Sequence, residues 1–140
     1  KIKIDFLRPK KLAKDNIEFL GSVSDEERNE LLASCRAFIH PQEEDFGIAA
    51  VEAMAAGRPV IAYKKGGALE TVKEGVTGEF FEDQTPWSLV DTVREFNPNK
   101  YDSDVIQKSV TGFDILNFKK QIKDYVENAY QEHQQQLTNK

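Results

Sequence analysis

A chain of 140 residues with 19 Lys and Arg, 24 Asp and Glu and a formal net charge of -5 has the size of one ordinary domain, or of part of one. With 39% hydrophobic residues it is too apolar to be a disordered segment, and a chain this long buries roughly two-thirds of the surface its unfolded form exposes, enough for a core without staples. The acidic balance excludes the uniform basic field of a non-specific nucleic-acid binder, and no run approaches the ~20 apolar residues of a membrane span.

The single cysteine, Cys35, excludes a disulfide within the chain, suits a reducing compartment and reads as a small buried apolar residue. Lys1 to Asp5 lacks the apolar run of a signal peptide, so a cytoplasmic location is expected, and an abrupt opening without Met is read as a sign that something precedes Lys1. Residues 1–16 are basic, and Lys10 to Lys14, after Pro9, can form a short helical turn. Ile17-Glu18-Phe19-Leu20 is β-prone and stopped by Gly21, which predicts a strand. Ser24 with Glu27 three places on has capping-box spacing and predicts a helix over 25–35 with Leu31, Leu32 and Cys35 as its apolar stripe. Ala37-Phe38-Ile39, ended by His40-Pro41, reads as a central strand covered on both faces. After the loop Gln42 to Phe46, Gly47 opens an Ala-rich helix that Gly57 ends as a left-handed cap.

Val60 to Tyr63 is the next buried strand, Gly66-Gly67 a tight turn, Ala68 to Glu74 a short helix capped by Gly75, and Glu79-Phe80-Phe81 a further strand. Strands alternating with helices across short Gly-bearing connections imply parallel strands with right-handed crossovers, hence an α/β, Rossmann-like doubly wound parallel sheet with helices on both faces. Pro86 then starts a helix with Trp87, Leu89, Val90, Val93 and Phe96 packing inward, and Asn97-Pro98-Asn99 breaks it. A helix over 102–110 follows. Asp114 caps a long last helix whose aromatic and aliphatic stripe, Phe113 to Tyr130, reads as core or as a surface for an absent domain, and Gln131 to Lys140 is expected to fray.

The segment from His40 to Val60 carries the chemistry. Ligands of an open parallel sheet bind beyond the carboxyl ends of its strands, and here a strand gives way to a helix across a loop with three consecutive acids, Glu43, Glu44 and Asp45. Glycine at the helix start admits a ligand to the backbone, and the free N–H groups of Gly47 and Ile48 with the helix dipole favour a phosphate. The eight steps from Glu44 to Glu52 rotate about 80° around a continuous helix, so the two carboxylates address different parts of a ligand. A phosphate with hydroxyl-bearing groups on either side, one donating to Glu44 and the other to Glu52, describes a nucleotide sugar. An acidic first turn that merely complements the dipole, with Glu52 solvated, has the same spacing, which leaves both readings open.

Glu44, seven residues, Glu52 and then Ala-Met-Ala-Ala-Gly-Arg-Pro-Val resembles the E-x7-E signature of retaining nucleotide-sugar glycosyltransferases of the family 4 kind. Asn16 to Gly21, Ser24 to Glu27, Gly66-Gly67 with Glu70-Thr71-Val72, and Gly75 to Gly78 are similar to its other segments in the same order, so the resemblance covers about residues 16–83. It implies the C-terminal, donor-binding domain of a two-domain GT-B enzyme, with residues 1–140 as a single nucleotide-sugar-binding fragment. By the resemblance Glu44 accepts hydrogen bonds from the donor sugar, Phe46, Gly47 and Ile48 present backbone groups to sugar and diphosphate, Glu52 holds the ribose, and Gly21, Ser22 and Val23 flank the base. Glu44 and Glu52 thereby stand as the catalytic pair. No metal and no cofactor is implied beyond the donor substrate, GDP-mannose first and UDP-hexose second.

The implied reaction is transfer of a hexose, mannose foremost, to a glycan or lipid-linked acceptor with retention, in polysaccharide or glycolipid synthesis. The implied partners are the missing N-terminal acceptor domain and, for the longer enzyme, the inner face of a membrane. The diphosphate-binding Arg and Lys of the family fall upstream of Asn16, where residues 1–14 show no recognisable version, so turnover by this chain alone is not expected. A nucleotide-binding α/β module without catalysis is the alternative. A dinucleotide-binding domain is disfavoured because no G-x-G-x-x-G follows a strand. His40 reads as a structural histidine, Lys64 and Lys65 as solvated, and Gly66 and Gly67 as serving their turn.

Overall fold

The computed structural model describes residues 13–138. Its strands are β1 (Phe38–His40), β2 (Val60–Tyr63) and β3 (Gly78–Phe81); its helices are α1 (Asp25–Ser34), α2 (Ile48–Ala55), α3 (Ala68–Thr71), α4 (Pro86–Glu95), α5 (Ser103–Ser109) and α6 (Ile115–Thr138). The strands pair in parallel in the order β1-β2-β3, with Phe38 opposite Val60 and Val60 opposite Gly78.

All four residues of β2 are buried, as a strand covered on both faces requires. Its side chains alternate between the faces. Val60 and Ala62 join one core with Ala50, Ala53 and Met54 of α2, Ala68 of α3 and Ile106 of α5, whereas Ile61 and Tyr63 join a second core with Phe81, against Leu89 and Phe96. Helices therefore cover both faces, as the alternation of elements predicts. Ser24 caps α1 by accepting the N–H of Glu27 at 3.2 Å. The carboxyl of Glu26 lies below the ordinary carboxylate range, through its backbone hydrogen bond first and Ser24 second.

Several expectations are corrected. Ile17 to Leu20 does not form a strand: its residues are irregular and exposed, since β-propensity is a weaker determinant than tertiary context. β1 is not central but an edge of the described sheet, with Ile39 43% exposed. α3 ends at Thr71 rather than Glu74, because Val72 turns extended and buries its side chain in the first core. In α4 only Leu89 and Phe96, the residue after it, pack against the second core; Trp87 is 79% exposed and Val90 and Val93 are also exposed. α6 runs on to Thr138 through the Gln-rich stretch expected to fray, since Gln is a good helix former. The apolar stripe of α6 is exposed among the described residues and is not core. Cys35 is half-buried, its Sγ donates to the Leu32 carbonyl, and burial pushes its thiol up against the opposing influence of Arg58. The turn expected at Lys10 to Lys14 falls largely outside the described residues. Among the described residues no helix is long and apolar enough to cross a membrane.

Behind β3, the Tyr101 hydroxyl donates to Glu79 Oε1 at 2.5 Å. Burial first, and that bond second, raise its phenol above the ordinary value. A raised value makes the contribution to stability complete below pH about 10 and lost as pH rises beyond it. Chemical denaturation of Tyr101→Phe across that range is expected to show a shallower alkaline decline than the parent; identical slopes would contradict the assignment.

Candidate functional site

The loops after β1, β2 and β3 lie together at the carboxyl edge of the parallel sheet, where such sheets bind ligands. The first, Pro41 to Phe46, passes through Gly47 into α2. Gly47 is buried at φ 79°, ψ 58°, a left-handed conformation that costs glycine nothing and other residues a steric clash. It turns the chain so that the helical ladder begins with the Ala50 and Val51 N–H groups on the Gly47 carbonyl, at 3.0 and 3.3 Å. The N–H groups of Gly47, Ile48 and Ala49 have no backbone acceptor among the described residues, and the start of α2 presents them with the positive end of its dipole.

The two glutamates are held apart. Glu44 accepts from Gln42 Nε2 at 2.5 Å through Oε1, and its Oε2 lies 4.0 Å from His40 Nε2. Glu52 faces α1 instead, with its Oε1 4.0 Å from Nη2 of Arg28, which itself pairs with Asp25 at 3.0 Å. Each carboxylate is 40% exposed, so both keep lone pairs open to a ligand while flanking the first turns of α2.

His40 is 2% exposed and lies directly under Gly47, so the end of β1 supports the start of α2 through an imidazole. The structural role read for it from sequence is therefore at the loop itself. Phe46 is 41% exposed and meets Phe113 edge to face at 5.4 Å. Ile48 is exposed beside it, and an open cavity of about 670 Å³ lies between them, Glu52, Val110 and Phe113. Gly21, Ser22 and Val23 precede α1, and no hydrogen bond or ion pair among the described residues ties them to Glu44 or Glu52. Their neighbour α1 does reach Glu52 through Arg28.

Lys64, read as solvated, is paired with Glu82, and that hydrogen bond is the main cause of its raised value. Lys65 lies over the Tyr63 ring with Nζ 5.7 Å from its centre. Arg28 and Gln84, whose Nε2 donates to the Pro41 carbonyl at 3.0 Å, are contacts the sequence reasoning missed, because each joins residues far apart in the chain. Among the described residues no group of His, Cys, Asp and Glu is arranged to hold a metal ion.

The family described as Glycosyl transferases group 1 matches residues 3–132. The chain is 45% identical over 65 residues to the Alpha-1,3/1,6-mannosyltransferase ALG2 of Dictyostelium discoideum, over 46% of this chain and 16% of that one. It is 38% identical over 81 residues to ALG2 of Homo sapiens, over 57% of this chain and 19% of that one. The crystal structure of Anabaena Alr3699/HepE in complex with UDP and glucose superposes with a TM-score of 0.64 at 27% identity, over 82% of this chain and 33% of that chain. Sucrose-phosphate synthase from Thermosynechococcus elongatus shares the fold, with a TM-score of 0.78 at 23% identity over 90% of this chain and 33% of that chain. The chain thus spans less than a fifth of those two curated relatives and a third of those structures.

Proposed function

Because the chain belongs to the glycosyl transferases group 1 family, we propose that it is the donor-binding domain of a retaining E-x7-E glycosyltransferase that moves mannose from GDP-mannose to a hydroxyl of a glycan or lipid-linked acceptor. The observation that carries the reading is the placement of Glu44 and Glu52 on two sides of an unpartnered helix start. The diphosphate lies at the N–H groups of Gly47 and Ile48, Glu44 accepts from the hexose hydroxyls, Glu52 accepts from the ribose diol, and the Phe46 backbone borders sugar and phosphate. Gly21 to Val23 flank the base. In the reaction the anomeric bond to the β-phosphate oxygen breaks, the acceptor oxygen bonds to the anomeric carbon on the same face, and the acceptor proton leaves with the departing phosphate. Donors aimed at the oxygen where negative charge develops stabilise that departure, which is the contribution of α2.

The mannosyltransferase relatives favour mannose. A UDP-hexose donor is the second reading, favoured by the UDP and glucose of Alr3699/HepE. The acceptor domain lies outside this chain, which binds donor without turning over, and the longer enzyme works in the cytoplasm at the inner membrane face. The E-x7-E assignment is tested by calorimetric titration of Glu44→Ala with GDP and with GDP-mannose. GDP affinity is expected to hold while GDP-mannose loses about tenfold, the worth of one hydrogen bond to a charged acceptor. Equal losses for the two ligands would overturn the division of roles.

A further inference from the structure

We infer that Gly67 is a positioning residue for the Glu44 loop, an inference that rests on the donor reading above. Gly67 has φ -62° and ψ -18°, an ordinary helical conformation open to any residue, so the turn does not require glycine there. The requirement comes from the neighbouring loop. A Cβ on Gly67 would stand 2.4 Å from the Asp45 carbonyl oxygen and 2.5 Å from the Phe46 Cα, and one on Gly66 would stand 2.4 Å from the Glu44 carbonyl oxygen. All of these are backbone atoms, which cannot swing aside as a side-chain tip does.

The contact is also bonded. The Gly67 N–H donates to the Glu44 carbonyl at 2.8 Å, which fixes the residue bearing the sugar-facing carboxylate. Gly67 is itself anchored: its carbonyl accepts from the Glu70 and Thr71 N–H groups and from Thr71 Oγ1 at 3.1 Å, and Ala68 and Thr71 are buried at 4% and 5% exposure. The rigid member of the pair is therefore α3, and the loop is what would yield to an added methyl group. A shift there moves Glu44 and Phe46 while leaving Glu52, one and a half turns into α2, in place.

The test is Gly67→Ala beside Gly112→Ala, whose added Cβ would meet nothing within 4 Å. Calorimetry with GDP and GDP-mannose is combined with amide chemical shifts from NMR, folding being checked by circular dichroism. Gly67→Ala is expected to lose about tenfold more affinity for GDP-mannose than for GDP, with amide shift changes at residue 67 and at 44–46; Gly112→Ala is expected to match the parent. A Gly67→Ala protein that keeps the parent preference for GDP-mannose, or whose shift changes stop at residues 66–68, overturns the inference. If the parent shows no preference for GDP-mannose over GDP, the donor reading fails, and the shifts at 44–46 still decide whether Gly67 holds the loop.

Discussion

Glu52→Ala is expected to weaken binding of GDP and GDP-mannose alike, by about 10- to 100-fold, corresponding to the loss of charge-assisted hydrogen bonds from the ribose diol. The side chain is 40% exposed and its nearest cation, Arg28, stands 4.0 Å away, so its lone pairs are available to a ligand and its removal opens no core cavity. Arg28 keeps Asp25 at 3.0 Å, so no buried charge is stranded. The thermal midpoint should therefore stay near that of the parent while calorimetric affinity falls. Unchanged affinity would remove Glu52 from the site. A loss confined to the sugar-bearing ligand would assign it the role proposed for Glu44.

Gly47→Val should affect both stability and binding. A branched side chain at φ 79° is held in the left-handed region, and its Cβ would approach to about 3.1 Å of Nε2 of a histidine that is 2% exposed and has little room to move. The strain corresponds to about 1–3 kcal/mol, read from denaturant midpoints at constant slope. Relief of that strain requires the first turn of α2 to move, which displaces the N–H groups assigned to the diphosphate. GDP affinity is expected to drop by at least about tenfold, one hydrogen bond to a charged group. A variant with parent stability, or one that is destabilised and yet binds GDP like the parent, would show that the conformation of Gly47 is not what builds the anion site.

The part of the chain between Phe38 and Phe81 was legible because local and long-range preferences agree there. Val60 to Tyr63 is an unbroken apolar run, the Ala-rich face of α2 fits closely against it, and Gly57 ends α2 at φ 75° as its position suggests. Ile17 to Leu20 shows the converse: β-propensity marks a segment that suits a sheet, but tertiary context decides whether a strand forms. Trp87 and the stripe of α6 carry core-like residues that the described residues leave exposed, since hydrophobicity reports what a surface could bury and not what meets it.

At the site, the glutamate spacing and the glycine at the helix start could be read from the sequence. The supports could not. Gly67 reads as a turn residue until the backbone of Asp45 and Phe46 is placed beside it, and nothing in the sequence singles out Arg28 before α1 brings it toward Glu52.

The central claim, that the carboxyl edge of this sheet binds a nucleoside diphosphate sugar, is tested most directly by calorimetric titration of the chain with GDP-mannose and UDP-glucose, with GDP, UDP and free mannose alongside. The account predicts saturable binding in one base series, tighter for the sugar-bearing member than for its diphosphate, and no heat from free mannose. Absence of saturable binding in both series would contradict it.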